Sequence, residues 1–145
     1  MQMRFWKLRP DQLLSFMRQF TFRLKAGQLL KEEIEKAIQS RNVTAGVLLA
    51  AVGSLERAVL RMAGAEVMKT WEGPFEIVSA TGTVSVEGCH IHLSISDSEG
   101  KVSGGHLKNG CVVHTTVEVV IGIFDDVSYK RILDPETKFR ELAIE

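Results

Sequence analysis

The stretch HIHLSISDSEGKVSGGH, residues 90–106, holds three of the four histidines of the chain and decides how the rest is interpreted. His90 and His92 are two residues apart, so on a β-strand they project from the same face, together with Ser94 and Ser96. The isoleucine and leucine residues that alternate with them then face the core. The pattern therefore predicts a half-buried strand with two imidazoles on its polar side.

The polar turn DSEG, residues 97–100, predicts a hairpin that returns the chain toward these histidines. If the pairing starts with Lys101 opposite Ser96 and continues without a break, His106 points into the core. An extra residue at Gly104–Gly105 would correct this, because glycine tolerates the backbone angles of a β-bulge. The sequence thus predicts a bulged hairpin on which His106 faces His92.

Three neutral imidazoles on one face are typical of a site for Zn²⁺, or for Fe²⁺ or Ni²⁺. Three protein ligands also leave one coordination position open for water or substrate, as in catalytic zinc sites. We therefore expect His90, His92 and His106 to bind a divalent metal, zinc in first place. The other interpretation is a half-exposed strand face whose histidines hydrogen-bond locally, and the pattern leaves both open.

His114 and Glu118 share one face of the β-branched run CVVHTTVEVV, residues 111–120. On a strand they are ~13 Å apart, so they are not a direct pair. Glu118 is a candidate catalytic residue: it could orient a metal-binding histidine, act as a general base, or form a salt bridge between subunits. A solvated carboxylate explains it equally well, and for His114 the sequence favours a structural role.

The remaining periodicities indicate the fold class. QFTFRLKAG, residues 19–27, alternates like a half-buried strand, and QLLKEEIEKAIQSRN, residues 28–42, has the period of an amphipathic helix. The rest is nearly all strand, with Gly53 and Ser54 expected at a corner between two strands. The sequence predicts an α+β domain: a mainly antiparallel sheet of about seven or eight strands packed with one principal helix.

Length and composition limit the class of protein. The 145 residues suit one domain, which we assign to residues 18–145 after an N-terminal extension, residues 1–17. A net charge of zero gives no electrostatic support for DNA binding. Cys89 and Cys111 are expected to be free thiols, and no run approaches the ~18 apolar residues of a membrane helix. We therefore expect a cytoplasmic protein that makes no membrane contact.

Several segments of the chain resemble one known family, the plant and prokaryote conserved (PPC) domain. The resemblance runs from about residue 18 to the C-terminus, and its best-marked part is HxH followed by GGH-x-x-x-GC and T-x-E. The segments that carry it are FRLKAGQLLKEEIEKAI (22–38), AAVGSLERAVLRM (50–62), GPFEIVSATGTVSV (73–86), HIHLSISDSEGKVSGGHLKNGCVVHTTVEVVIGIF (90–124) and FRELAI (139–144).

This resemblance implies a compact α+β fold assembled as a homotrimer. It also implies, for prokaryote-like members, a metal site built from histidines that match His90, His92 and His106. In plants the domain follows an AT-hook, a DNA-binding motif, and mediates self-association and contact with transcription factors. The present sequence contains no Arg-Gly-Arg-Pro hook and keeps the histidines that plant versions generally lack.

Three functions remain open at this point. The first is a homotrimeric PPC-domain protein that binds a divalent metal and acts on a small-molecule ligand. The alternative is a DNA-binding or transcription-associated interaction module without catalysis, which neither charge nor an AT-hook supports. The third is a metal-stabilised structural protein. The sequence names no substrate and does not decide whether the protein is an enzyme.

Overall fold

The computed structural model of the protein describes residues 17–145. Within that range the chain forms eight β-strands and one α-helix, and every pair of neighbouring strands is antiparallel. The predicted fold class, α+β with a mainly antiparallel sheet, is therefore confirmed. Apart from Met17, the expected N-terminal extension lies outside the described residues.

The elements follow one another in a simple order along the chain. They are β1 (Arg18–Lys25), α1 (Leu30–Ser40), β2 (Gly46–Arg61), β3 (Met68–Ser85), β4 (Gly88–Ser96), β5 (Val102–Leu107), β6 (Val112–Ile123), β7 (Tyr129–Leu133) and β8 (Arg140–Ile144).

The first strand and the helix form where the sequence periods predicted them. Leu24 of β1 is buried, and the helix buries Leu30, Ile34 and Ile38 along one stripe. Asn42 has a φ of 48°, a conformation that commonly follows the last turn of a helix. Helix α1 packs with this stripe against β3, β4 and β6, and so covers one side of the core.

The main sheet closes on itself. Its strand order is β1-β6-β2-β3-β4-β5, and β5 pairs in addition with the end of β2. That extra pairing joins Leu60 to Leu107 and Arg61 to His106. Strands β2 to β5 thus form a circuit that is closed where the ends of β2 and β5 meet, while residues 102–105 of β5 pair with β4 alone. Fully buried side chains such as Leu55, Ile91 and Leu93 belong to the core.

The prediction of a corner between two strands at Gly53 and Ser54 is wrong, because β2 continues through both residues. The strand is paired with neighbours on its two sides there, and the irregularity is absorbed as shifts in register around Leu55. Gly53 has a φ of 152°, and a Cβ at this position would clash with the main-chain oxygen of Thr116. The glycine therefore permits a close approach of β6 rather than a turn.

Strands β7 and β8 form a separate two-stranded sheet at the end of the chain. Tyr129 donates its backbone N–H to the carbonyl of Thr44 at 2.9 Å, which fixes the start of β7 to the domain. The Arg131 guanidinium donates to Thr83 Oγ1 of β3 at 2.8 Å. The hairpin therefore lies beside the strand that neighbours β4.

Two further expectations concern the cysteines and membranes. Cys89 and Cys111 are both free thiols, as predicted. Burial raises the pKa of Cys111 to about 11, so this thiol stays protonated and inert. No helix among residues 17–145 is both long and apolar enough to cross a membrane.

We predict that Gly53→Ala destabilises the protein by about 3 kcal/mol or more, because the added methyl group meets backbone rather than a movable side chain. The matched control is Gly64→Ala, where φ is also positive but no atom lies within 4 Å of the new Cβ. That variant should lose only about 1 kcal/mol. Urea denaturation measures both, and equal losses would contradict the packing assigned to Gly53.

Candidate metal centre

The histidine hairpin has no bulge at its two glycines, so that part of the sequence prediction is wrong. The pairing of β4 with β5 runs unbroken from Ser96 opposite Val102 to His92 opposite His106. Val102, expected on the apolar side, is instead 58% exposed on the polar side. The predicted outcome is nevertheless confirmed, since His106 faces His92 and Leu107 is buried.

The additional residue is accommodated in the turn, which is one residue longer than predicted. Asp97 donates its backbone N–H to the carbonyl of Lys101 at 3.1 Å, so the loop closes around five residues. The Asp97 carboxylate accepts the backbone N–H groups of Glu99 at 3.0 Å and of Lys101 at 2.9 Å. These bonds stabilise the wider turn and shift the register of β5 by one position.

Glycine is needed in β5 for a different reason. A Cβ at Gly105 would lie 2.7 Å from the carbonyl oxygen of Arg61 and 2.9 Å from the Met62 methyl group. Gly105 thus allows the end of β2 to approach β5 closely. The close approach allows Arg61 of β2 to pair with His106, so that Arg61 lies beside the histidines.

The three imidazoles meet on the outer face of the hairpin. Their possible ligand nitrogens all lie within 4.8 Å of one another, and Nε2 of His90 is 3.2 Å from Nε2 of His92. The ring centroid of His106 is 4.9 Å from that of His90 and 5.7 Å from that of His92. Two nitrogens that bind one tetrahedral zinc ion are about 3.3 Å apart, so His90 and His92 already have this spacing.

The surroundings keep two of these imidazoles neutral. Burial, followed by the positive charge of Arg61, lowers the pKa of His106 to about 4. Burial and the neighbouring His92 likewise lower the pKa of His90. Both rings are therefore unprotonated at neutral pH, which is the state that binds a metal ion.

One ring nitrogen of the cluster has no partner within the described chain. Nδ1 of His106 is buried and makes no hydrogen bond. Leaving a buried polar atom unsatisfied costs about 1–3 kcal/mol, so such an atom commonly belongs to a ligand site. Three imidazole nitrogen donors that lie close together, one of them beside a buried nitrogen without a hydrogen bond, fit a divalent ion of the zinc type.

Glu118 and His114 are not brought into this cluster. Both side chains are exposed on β6, where Glu118 pairs in register with Arg23 on one side and Val52 on the other. The group of potential metal ligands found in residues 17–145 contains only His90, His92 and His106. A catalytic role of Glu118 therefore stays a prediction, and it would require a second subunit.

The structure adds residues that sequence reasoning missed. A cavity of about 360 Å³ opens beside His90 and His106, and Arg61, Arg131 and Arg140 line it. Arg61 comes from the end of β2, and the other two arginines come from the β7–β8 hairpin. No local pattern distinguishes these arginines from other strand residues, because only the closed sheet and the docked hairpin bring them to the histidines.

Comparison with known proteins agrees with this architecture. The family model of the Plants and Prokaryotes Conserved (PCC) domain, the family abbreviated PPC above, matches residues 13–125. A Bifunctional protein GlmU of Synechococcus sp. (strain JA-3-3Ab) is 37% identical over 129 residues, 89% of the present chain and 21% of that protein. The chain thus spans about a fifth of the length of the curated relatives it matches first.

Solved structures show the same fold. A hypothetical protein from Salmonella enterica superposes with a TM-score of 0.87 at 34% identity, covering 91% of this chain and 96% of the other. A metal-containing protein from Archaeoglobus fulgidus gives 0.77 at 26% identity, covering 90% and 98%. A proposed DNA-binding protein from Bacteroides thetaiotaomicron gives 0.74, covering 90% and 96%, but its 14% identity establishes the fold alone.

Proposed function

The chain belongs to the Plants and Prokaryotes Conserved domain family, and we propose that it binds a divalent metal ion, zinc in first place, through His90, His92 and His106. The observation that carries the proposal is the meeting of three imidazoles, with ligand nitrogens within 4.8 Å of one another. The Archaeoglobus relative, described as metal-containing, supports it. Fe²⁺ and Ni²⁺ accept the same donors.

The chain's own residues define what such a site can do. A divalent ion with an open coordination position supplies a Lewis acid that polarises a carbonyl or activates water. His92 is exposed, so the site is open to small molecules. The adjoining cavity provides room for a ligand, which is why we propose a small-molecule activity and leave its reaction class open.

Metal binding is tested with the protein purified without a histidine tag. The wild type should contain one divalent ion per chain, and His92→Ala should lose it, because two imidazoles bind zinc far more weakly than three. The matched control is His114→Ala, which removes an exposed histidine outside the cluster and should keep the ion. Elemental analysis by mass spectrometry gives the ratio.

Equal metal content in the two variants would refute the assignment of the site. Chelation of the wild type provides a second measurement. If the ion links β4 to β5, its removal should lower the melting temperature, and the same chelator should leave the melting temperature of His92→Ala unchanged.

We further propose that the protein assembles as a homotrimer. The outer face of β2 exposes Leu49 and Val52, at 45% and 57% of their surface, and Glu118 lies beside Val52 on β6. These two aliphatic side chains offer apolar contact area to a neighbouring subunit, and Glu118 offers a charge for an ion pair beside it. In such an assembly Glu118 could reach a neighbouring subunit, as the sequence suggested.

Light scattering after gel filtration should give a mass three times that of the 16.1 kDa chain. Val52→Lys should shift the mass toward one chain, since a lysine ammonium buried at an interface is unfavourable. Val102→Lys, a change at an equally exposed valine of the hairpin, should keep the trimer. A wild type that elutes with the mass of one chain would exclude this assembly.

The alternative function, a DNA-binding or transcription-associated module, has no charge argument in its favour because the net charge is zero. Retention on DNA-cellulose at low salt separates the two functions. We expect no retention of the wild type. Salt-sensitive retention that persists in His92→Ala would favour the alternative over the metal-centred proposal.

A further inference from the structure

We propose that the cleft beside the histidine cluster binds a small oxyanion, a carboxylate or phosphate group, through Arg61 and Arg131. This deepens the proposed function, since the cleft opens onto two of the three metal-binding histidines and would hold the substrate class on which the site acts. The argument rests on the cavity, on the charges around it and on the placement of the two arginines.

The cavity has the dimensions of a small-molecule site. Its volume of about 360 Å³ is at the lower end of the range of roughly 300–1,000 Å³ for ligand pockets. His90 and His106 line one side, and the β7–β8 hairpin contributes Arg131 and Arg140 on the other. It therefore suits a molecule of a few carbon atoms with one charged group.

The acidic residues around the cavity already have partners. Glu35 accepts from the Lys31 ammonium at 2.6 Å, and Glu87 lies 3.6 Å from the Lys130 ammonium. The Glu141 carboxylate accepts a hydrogen bond from the Thr137 hydroxyl at 2.9 Å. Lysines outside the cavity lining thus neutralise two of the three carboxylates near the cleft, and Glu141 is held by a hydroxyl group.

The guanidinium groups of the arginines, in contrast, contact only neutral groups among the described residues, although the Arg131 backbone N–H donates to Glu87 Oε2 at 3.4 Å. None of the ion pairs found among residues 17–145 includes Arg61, Arg131 or Arg140. Arg131 donates to the Thr83 hydroxyl, and Arg140 donates to the carbonyl of Arg131 at 2.6 Å. The Arg61 guanidinium lies 5.6 Å from the centroid of the Phe139 ring. These contacts orient the guanidiniums. Three arginines then face one carboxylate without a basic partner, Glu141, so the lining keeps an excess of positive charge that suits an anion.

Each of the two arginines is placed next to one histidine by the strand pairing. Arg61 is the cross-strand partner of His106, and Thr83, which holds Arg131, is the cross-strand partner of His90. Both guanidiniums line the cavity together with His90 and His106. An anion bound between the guanidiniums would therefore present the rest of its molecule to the histidine face.

Isothermal titration with inorganic phosphate and with malonate tests the proposal. The proteins are the wild type, Arg61→Gln, Arg131→Gln and the control Arg57→Gln, each metal-free and zinc-loaded. Arg57 lies on the same strand, but its exposed guanidinium pairs with Glu72 away from the cavity. We expect saturable binding by the wild type and by Arg57→Gln. Arg61→Gln and Arg131→Gln should each bind the anion at least about tenfold more weakly.

The same affinity in Arg61→Gln, Arg131→Gln and Arg57→Gln, or no saturable binding of either anion, would overturn the proposal. Stronger binding of phosphate than of malonate would assign the cleft to phosphate esters, and the reverse order to carboxylates. Melting curves check that each variant is folded.

The metal content of the same samples separates this proposal from the metal assignment. Arginine-dependent binding without bound metal would leave the anion site standing and remove the metal proposal. Bound metal without binding of either anion would remove the anion site and leave the metal proposal standing.

Discussion

The short pairing between the ends of β2 and β5 is the contact on which the rest of the architecture depends. It joins Leu60 to Leu107 and Arg61 to His106, and both leucines are fully buried. Without it, the open edge of β5 would extend to His106 and Leu107, and the buried leucines would lose their cover on that side. Gly105 makes the pairing feasible, because any side chain there would meet the carbonyl of Arg61. The core and the candidate site therefore depend on one and the same contact.

This closure also explains the composition of the site. Histidines from two strands of one hairpin could form a cluster in many sheets, but the arginine beside His106 is present only because β2 returns to β5. The β7–β8 hairpin then completes the cleft through the bond from Arg131 to Thr83. Three parts of the chain, far apart in sequence, thus supply one small polar surface on a scaffold of paired strands, which holds the side chains in fixed relative positions.

The two proposed ligands of the site, a cation and an anion, would favour each other's binding. Burial lowers the pKa of both His90 and His106, assisted by His92 at the first ring and by Arg61 at the second, which leaves their nitrogens free for a metal ion. A metal ion there would be repelled by Arg61 and Arg131, and an anion in the cleft would offset that repulsion. By linkage, each of the two ligands would then increase the affinity of the other.

The sequence by itself determined what local periodicity controls: the amphipathic helix, the alternating strands, the fold class, and the shared face of His90 and His92. It also predicted that His106 joins them, although for the wrong reason, because the five-residue turn closed by Asp97 rather than a bulge sets the register. Only the tertiary structure decided that β2 continues through Gly53 and that its C-terminal end, at Leu60 and Arg61, pairs with β5. The physical reason is that such contacts join backbone groups and charges that are distant in sequence. They therefore have no effect on the local periodicity of apolar and polar residues.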